Sequence, residues 1–335
     1  MLKIAFVVPY YGKLPAFFRT WAYTAGYLKD QNIDFFLVTD LKIPFELPSN
    51  IKVVEMTFQE LKQRIQIKFD FHISLETPYK LCDYRPAYGL IFSDLLQGYD
   101  FWGHCDVDVL WGNIRKFITE DILSTYDKIQ YLGHFVLYRN CDEMNQLFKR
   151  RAGLFGYRRV FSTPEYYSFD EHPGMMQIVQ KYKIKNYIAT NQADISPRCK
   201  SLNISRVDNY SHQILYWNDG AVIRAYRNES GIVCKDEFMY AHFQQKSPKD
   251  KINWAVNCQP KIIRYSWDAL EAVDEEPITV ERTNEDEHTD DFRKRRMQKF
   301  IHSSIRQKIV SVCISILTKK TNRYIQKSMR LEYEK

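Results

Sequence analysis

The sequence predicts an α/β layered fold, and three observations carry that prediction. Apolar, β-branched and aromatic runs of strand length alternate with amphipathic stretches of helix length. Two carboxylates follow one of the most apolar of these runs, where α/β folds place their sites. The composition, 45% hydrophobic and 27% charged, is that of a globular chain and excludes collagen-like, disordered and membrane-embedded classes. At 335 residues the chain can hold one large domain with additions or two modest ones.

The elements follow in order. Lys3 to Pro9 reads as a buried first strand, and Pro15 opens an amphipathic helix to Leu28. Ile33 to Thr39 (IDFFLVT) is a second strand ending at Asp40, and Ile51 to Met56 a third. Pro86 suits a first helical position, with Asp83 upstream as a cap, and leads a helix to about Gln97. Tyr99 to Cys105 is the next strand, and Tyr131 to Asn140 a further one that carries Gly133 and His134.

Only 12 residues are glycine, and neither G-x-G-x-x-G nor G-x-x-x-x-G-K-[ST] occurs, so the two commonest glycine-rich phosphate cradles are absent. Chemistry has to come from elsewhere. Immediately after Cys105 stand Asp106 and Asp108, in GHCDVDVLWGN; in extended backbone residues i and i+2 share a face, so both carboxylates can converge on one cation. Oxygen ligands suit Mg²⁺ or Mn²⁺, which in such sites bridge substrate phosphates. A D-x-D pair is also what an ordinary solvated turn contains. Far downstream, Glu237 to Lys246 (EFMYAHFQQK) ends a strand with His242, an imidazole that shifts preference toward Mn²⁺, and with Lys246 in reach of a diphosphate. Read blandly, these are a strand histidine and a surface lysine. Asp170 and Glu171, in YYSFDEHPG, sit in an aromatic loop closed by Pro173 and Gly174. They suit gripping sugar hydroxyls or acting as a base; equally, Asp170 could cap the helix that runs to Lys181.

Taken in this order, the run Tyr79 to Gly89 (YKLCDYRPAYG), GHCDVDVLWGNI, FDEH and YAHFQQK resemble the GT-A-type glycosyltransferases, and more narrowly an uncharacterised bacterial family linked to surface polysaccharide assembly. The resemblance covers about residues 1 to 265. It implies a Rossmann-like, nucleotide-diphospho-sugar transferase domain with a mixed sheet flanked by helices. It further implies a nucleotide-sugar donor, a saccharide or lipid-linked acceptor, and Asp106, Asp108 and His242 as ligands of Mn²⁺ or Mg²⁺. Lys246 then contacts the diphosphate, and Asp170 and Glu171 face donor sugar and acceptor. Pro9, Tyr10 and Tyr11 lie where such folds receive the nucleotide, Asp40 where an acid meets base or ribose, and Lys80, Asp83 and Arg85 are further contacts, Arg85 being suited to bidentate phosphate binding. The sequence departs from glycogenin-like enzymes after His242, where Gln244 and Gln245 replace a glycine context. Two other readings compete: a nucleotidyltransferase, and a non-catalytic domain that binds polysaccharide.

The net charge of +7 belongs to the end of the chain. From Phe292 onward 13 Lys/Arg face 2 Glu, whereas residues 1 to 291 carry 35 basic and 39 acidic residues. The expected division is a catalytic domain at 1–270, an acidic linker at 271–291 and a basic amphipathic helical tail at 292–335. The apolar stripe Ile301, Ile305, Ile309, Val312, Ile316, flanked by Arg306, Lys308, Lys319, Lys320 and Arg323, suits docking on the body or lying on an anionic membrane. The seven cysteines lack C-x-x-C spacing and read as reduced thiols. With neither a signal peptide nor an apolar run of about 18 residues, the expected location is cytoplasmic, peripheral to the inner membrane face. A nucleic-acid partner is not expected.

Overall fold

The computed structural model describes residues 1–277, apart from residues 154, 198, 200, 245, 246, 257 and 267. The basic tail and most of the acidic linker lie outside the described residues, as does Lys246. Three sheets organise the described chain. The first is built on β1 (Ile4–Pro9), β2 (Ile33–Thr39), β3 (Ile51–Glu55) and β4 (Phe101–Cys105), all parallel. These four strands begin close to where the sequence places them. The apolar runs of β1, β2 and β4 arise because both faces are covered: Ala5 and Val7 enter one core with Trp102 and Tyr138, while Ile4, Phe6 and Val8 enter the other with Phe35 and Phe135; β3, at the sheet edge, buries only Ile51 fully.

Between the strands run α1 (Phe18–Gly26) and α2 (Phe58–Gln66), the latter opened by a reciprocal capping box between Thr57 and Glu60. The helix expected from Pro86 to Gln97 is not formed as one piece. Residues 78–91 instead make successive short turns, Pro78–Lys80, Leu81–Tyr84, Arg85–Ala87 and Tyr88–Ile91. Pro86 has no amide hydrogen to continue a helical ladder, and Gly89 lies so close to Trp102 that a Cβ would come within 2.5 Å of the indole. Tertiary packing sets the path.

Beyond β4 the chain passes through β5 (Val109–Trp111), β6 (Lys128–Ile129), β7 (Phe135–Arg139) and β8 (Asn186–Tyr187). Strands β7, β6 and β8 complete a seven-stranded mixed sheet in the order β3-β2-β1-β4-β7-β6-β8, with β7 antiparallel to β4. Gly103 permits that pairing, since a Cβ there would stand 2.3 Å from the Val136 carbonyl.

The second half contributes β9 (Gln192–Asp194), β10 (Gln213–Asn218), β11 (Ala221–Arg227), β12 (Val233–Phe238), β13 (Tyr240–His242), β14 (Lys249–Asp250), β15 (Ile262–Ser266) and β16 (Ala269–Val273). Six of these form a largely antiparallel sheet, β12-β11-β10-β15-β16-β14. The remaining two join β5 in a small sheet, β5-β13-β9, which packs on the six-stranded sheet through Leu110, Ala193, Ala241, Leu215 and Trp217. The folded unit continues past residue 270: β16 reaches Val273, and Glu276 accepts a 2.7 Å hydrogen bond from Asn218 and pairs with Lys235. Among the described residues no helix is long and apolar enough to cross a membrane.

Candidate functional site

Asp106 and Asp108 come together by a bend and not by a strand pleat. β4 ends at Cys105 and β5 begins at Val109, so residues 106–108 turn across the end of the large sheet. His134 holds the first acid from its carbonyl, which accepts the Asp106 amide at 3.2 Å, and the Phe243 amide bonds the Asp108 carbonyl at 2.9 Å. That second bond extends the antiparallel pairing of β13 with β5 and carries His242 to the two acids. His242 Nε2 stands 3.5 Å from Asp108 Oδ1 and 3.9 Å from Asp106 Oδ2. One ligand atom from each of the three residues lies within 4.8 Å of the others.

The other side of the imidazole is equally fixed. β9 runs parallel to β13 with Asp194 in register with His242, and His242 Nδ1 meets Asp194 Oδ1 at 2.8 Å. Gln244 Nε2 donates to the same oxygen at 2.7 Å. Gln244 reaches it with φ of 50°, in the left-handed region where a glycine is the easy choice. His134 stacks on His242 with ring centres 4.1 Å apart, and its own Nδ1 meets the Tyr240 hydroxyl at 3.1 Å. A carboxylate on one imidazole nitrogen and open ligand atoms at the other is the arrangement that orients a metal-binding histidine. Sequence reasoning missed Asp194 and the role of Gln244, because the short polar strand Gln192–Asp194 carries no signal of its own until it pairs with β13.

The electrostatics fit a cation. Burial works against a charged His242, but the carboxylates of Asp108, Asp194 and Asp106 outweigh it and push the imidazole up to about 10. Burial raises the Asp108 carboxyl despite His242, whereas Arg85 and then His242 hold Asp106 below its usual range against burial. Asp108 Oδ1 is buried and accepts no hydrogen bond; its contact with His242 is an ion pair without hydrogen-bond geometry. Two carboxylate oxygens, one of them unsatisfied, and an imidazole nitrogen form a donor set suited to Mn²⁺ more than Mg²⁺.

Directly beside this cluster, the Arg85 guanidinium links the acidic groups. It pairs with Asp106, with Asp170 Oδ2 at 3.1 Å, and donates to the Gly133 carbonyl at 3.1 Å. Glu171 Oε1 accepts the Gly133 amide at 2.8 Å. Gly133 has no room for a side chain, since a Cβ would lie within 2.8 Å of both Arg85 and Asp170. Burial pushes the Asp170 carboxyl well above its ordinary value, with Arg85 opposing, and raises Glu171 as well. Asp170 does not cap the following helix, Met175–Lys181, whose first turn is preceded by Gly174 with no side-chain cap.

These groups line one cleft of about 820 Å³, within the range of small-molecule sites. Pro9, Tyr10, Tyr11, Arg85, Asp106, Asp108, Asp170, Glu171, Asp194 and His242 all face it. Three expected contacts do not. Asp40 is exposed beyond the end of β2, outside the lining. Lys80 and Asp83 form an ion pair at 2.8 Å, 3% and 0% exposed, with no surface left for a nucleotide. Nor is Asp83 a cap, since it lies within the turn Leu81–Tyr84.

Comparison with known proteins places the chain in a family. Residues 6–269 match the model of DUF6625, described as a family of unknown function, and the chain belongs to it. No curated protein matches significantly. Among solved structures, the chain is similar to a glycosyltransferase involved in the glycosylation of the major capsid of PBCV-1, at 10% identity and a TM-score of 0.34, covering 58% of this chain and 85% of that one. It is also similar to a mutant Drosophila β1,4-galactosyltransferase 7 in complex with manganese, UDP-Gal and xylobiose, at 11% identity and a TM-score of 0.30, covering 57% of this chain and 66% of that one.

Proposed function

We propose that the chain is a metal-dependent glycosyltransferase of the GT-A type, moving a sugar from a nucleotide-sugar donor to a saccharide or lipid-linked acceptor in bacterial surface polysaccharide synthesis. One observation carries the reading: Asp106, Asp108 and His242, from distant segments, converge beside an open cleft in the order of motifs that resembles such enzymes. When bound, Mn²⁺ or Mg²⁺ would neutralise the negative charge that develops on the leaving diphosphate. Asp106, Asp108 and His242 would hold it, with Asp194 and Gln244 fixing the imidazole.

The protein's own side chains supply the rest. Pro9, Tyr10 and Tyr11, at the exit of β1, offer the wall for the nucleotide. Arg85 is paired with Asp106 and Asp170, so any phosphate it reaches shares the guanidinium with these carboxylates. Glu171, raised by burial and tethered by one oxygen to Gly133, is placed to take a proton from an acceptor hydroxyl, and Asp170 orients Arg85 beside it. Lys246 remains a diphosphate contact by resemblance, and residues 292–335 a membrane-facing segment by composition.

Calorimetric titration with UDP, GDP, CDP and their sugar conjugates, with and without Mn²⁺, tests the reading. Diphosphate binding that requires Mn²⁺ supports it. A preference for nucleoside triphosphates would move the protein to nucleotidyl transfer, and no binding of either would leave a polysaccharide-binding domain.

A further inference from the structure

The Lys80–Asp83 ion pair, which does not touch the cleft, holds something that does. Lys80 Nζ donates to the carbonyls of Val160 and Glu165. Asp83 accepts the amides of Tyr167, at 3.0 Å, and Phe169, at 2.8 Å. Both chain neighbours of Tyr166 are thus pinned to the turn that carries Tyr79, and Ser168, between the two bonded amides, is drawn to φ of 51°. Burying an ion pair is costly, and here it fixes two tyrosines against each other. Their ring centres lie 4.9 Å apart at 60°, and both rings line the cleft. Tyr79 is nevertheless 66% exposed, an unusual amount of aromatic surface to keep rigid and open to water.

We propose that Tyr79 and Tyr166 form the wall of an acceptor subsite that takes the apolar ring face of a neutral saccharide. An aromatic face held in place accepts the axial C–H surface of a pyranose at little cost in side-chain entropy. Its position distinguishes acceptor from nucleotide: Tyr166 lies four residues before Asp170, and Asp170 and Glu171 share its stretch of the lining, whereas Tyr10, from the exit of β1, feels the charge of Asp108. A sugar on this wall meets two carboxyl groups able to take its hydroxyls. The same acids disfavour uronates and phosphorylated sugars, because the Arg85 cation that would receive an anion is already shared by Asp106 and Asp170. The proposal depends on the glycosyl-transfer reading only in treating this sugar as the acceptor.

Two separate binding measurements on the full chain test it. Saturation-transfer NMR with the methyl glycosides of glucose, galactose and N-acetylglucosamine, and with methyl glucuronide as the anionic control, reads the wall. Calorimetry with UDP and Mn²⁺ reads the nucleotide end. Wild type is expected to transfer saturation to the ring-face protons of at least one neutral glycoside, and less to the glucuronide. Tyr79→Ala and Tyr166→Ala should weaken that binding about tenfold or more, Tyr79→Trp should retain it, and UDP affinity should stay within about twofold. Since Tyr79 is exposed, its variants decide the matter even where Tyr166→Ala unfolds. Undiminished glycoside binding in Tyr79→Ala, or none in wild type, overturns the proposal; an equal loss of UDP binding assigns the pair to the nucleobase instead. Glycoside binding that depends on Tyr79 in a protein that never binds UDP keeps the subsite and removes glycosyl transfer.

Discussion

Of the two groups that meet where Arg85 pairs with Asp106, the first, Asp106, Asp108 and His242, is presented by strand termini and needs only main-chain pairing to come together. The second, Arg85, Asp170 and Glu171, sits on short turns and a loop, and depends on the buried Lys80–Asp83 pair behind it. The contrast teaches where each group is vulnerable. Sheet register protects the first, so changes to its side chains alter chemistry before stability. The second is held by side chains, so its changes fall on the fold as well.

The sharpest test of that contrast is Asp108→Asn. It removes a proposed metal ligand without touching the bend's backbone bonds, so transfer should fall about 100-fold or more while the melting temperature moves little. Full activity in that variant after metal removal would dissolve the distinction between the groups. The converse change is Lys80→Ala or Asp83→Ala, which strands a buried charge. Burial already pushes Lys80 down and Asp83 up, and each substitution is expected to cost about 3–5 kcal/mol in denaturant unfolding. Mn²⁺ affinity of the protein that remains folded should be unchanged. Asp194→Asn lies between the extremes: it leaves all three ligand atoms but loosens the imidazole, and Mn²⁺ affinity, followed by electron paramagnetic resonance, should drop about 10- to 100-fold.

Legibility in the sequence follows the same division. The strands from Ile4, Ile33 and Phe101 could be read because a strand covered on both faces must be apolar along its length, and the edge strand from Ile51 through its β-branched residues. That Asp106, Asp108 and His242 converge could be read because each lies at a strand terminus. Asp194 could not, since its meaning lies in a partner 48 residues away and in the register of two strands. Lys80 and Asp83 were misread for a related reason. Charged side chains in a short turn look solvated until the loop that buries them, residues 165–169, is in place.

A further expected effect concerns Lys128, buried on β6 with its ammonium bonded to the Gln130 carbonyl and lying over the Tyr138 ring. Burial brings it down to about 7, only partly opposed by the charge of Asp170. Between that value and the roughly 10.4 of an unfolded lysine, the unfolded chain binds the extra proton, so stability rises with pH across this window. Below about pH 7 the folded protein carries the buried charge and its full cost. Unfolding of Lys128→Met at several pH values should show a slope smaller by about one proton in that window; an unchanged slope would mean that burial does not depress the Lys128 ammonium.

The three-stranded sheet that joins β5, β9 and β13 also bears on how the molecule comes into being. Its strands lie far apart in the chain, and pairings of that kind form slowly because long loops must close before any contact rewards them. During synthesis β13 is made long after β5. A nascent chain that has folded only its first sheet therefore carries Asp106 and Asp108 with no imidazole opposite. If the proposed site takes up Mn²⁺, its capture in a refolding experiment would report the closing step of folding, and a cation with higher affinity for the folded than the unfolded chain would act as the latch on that step.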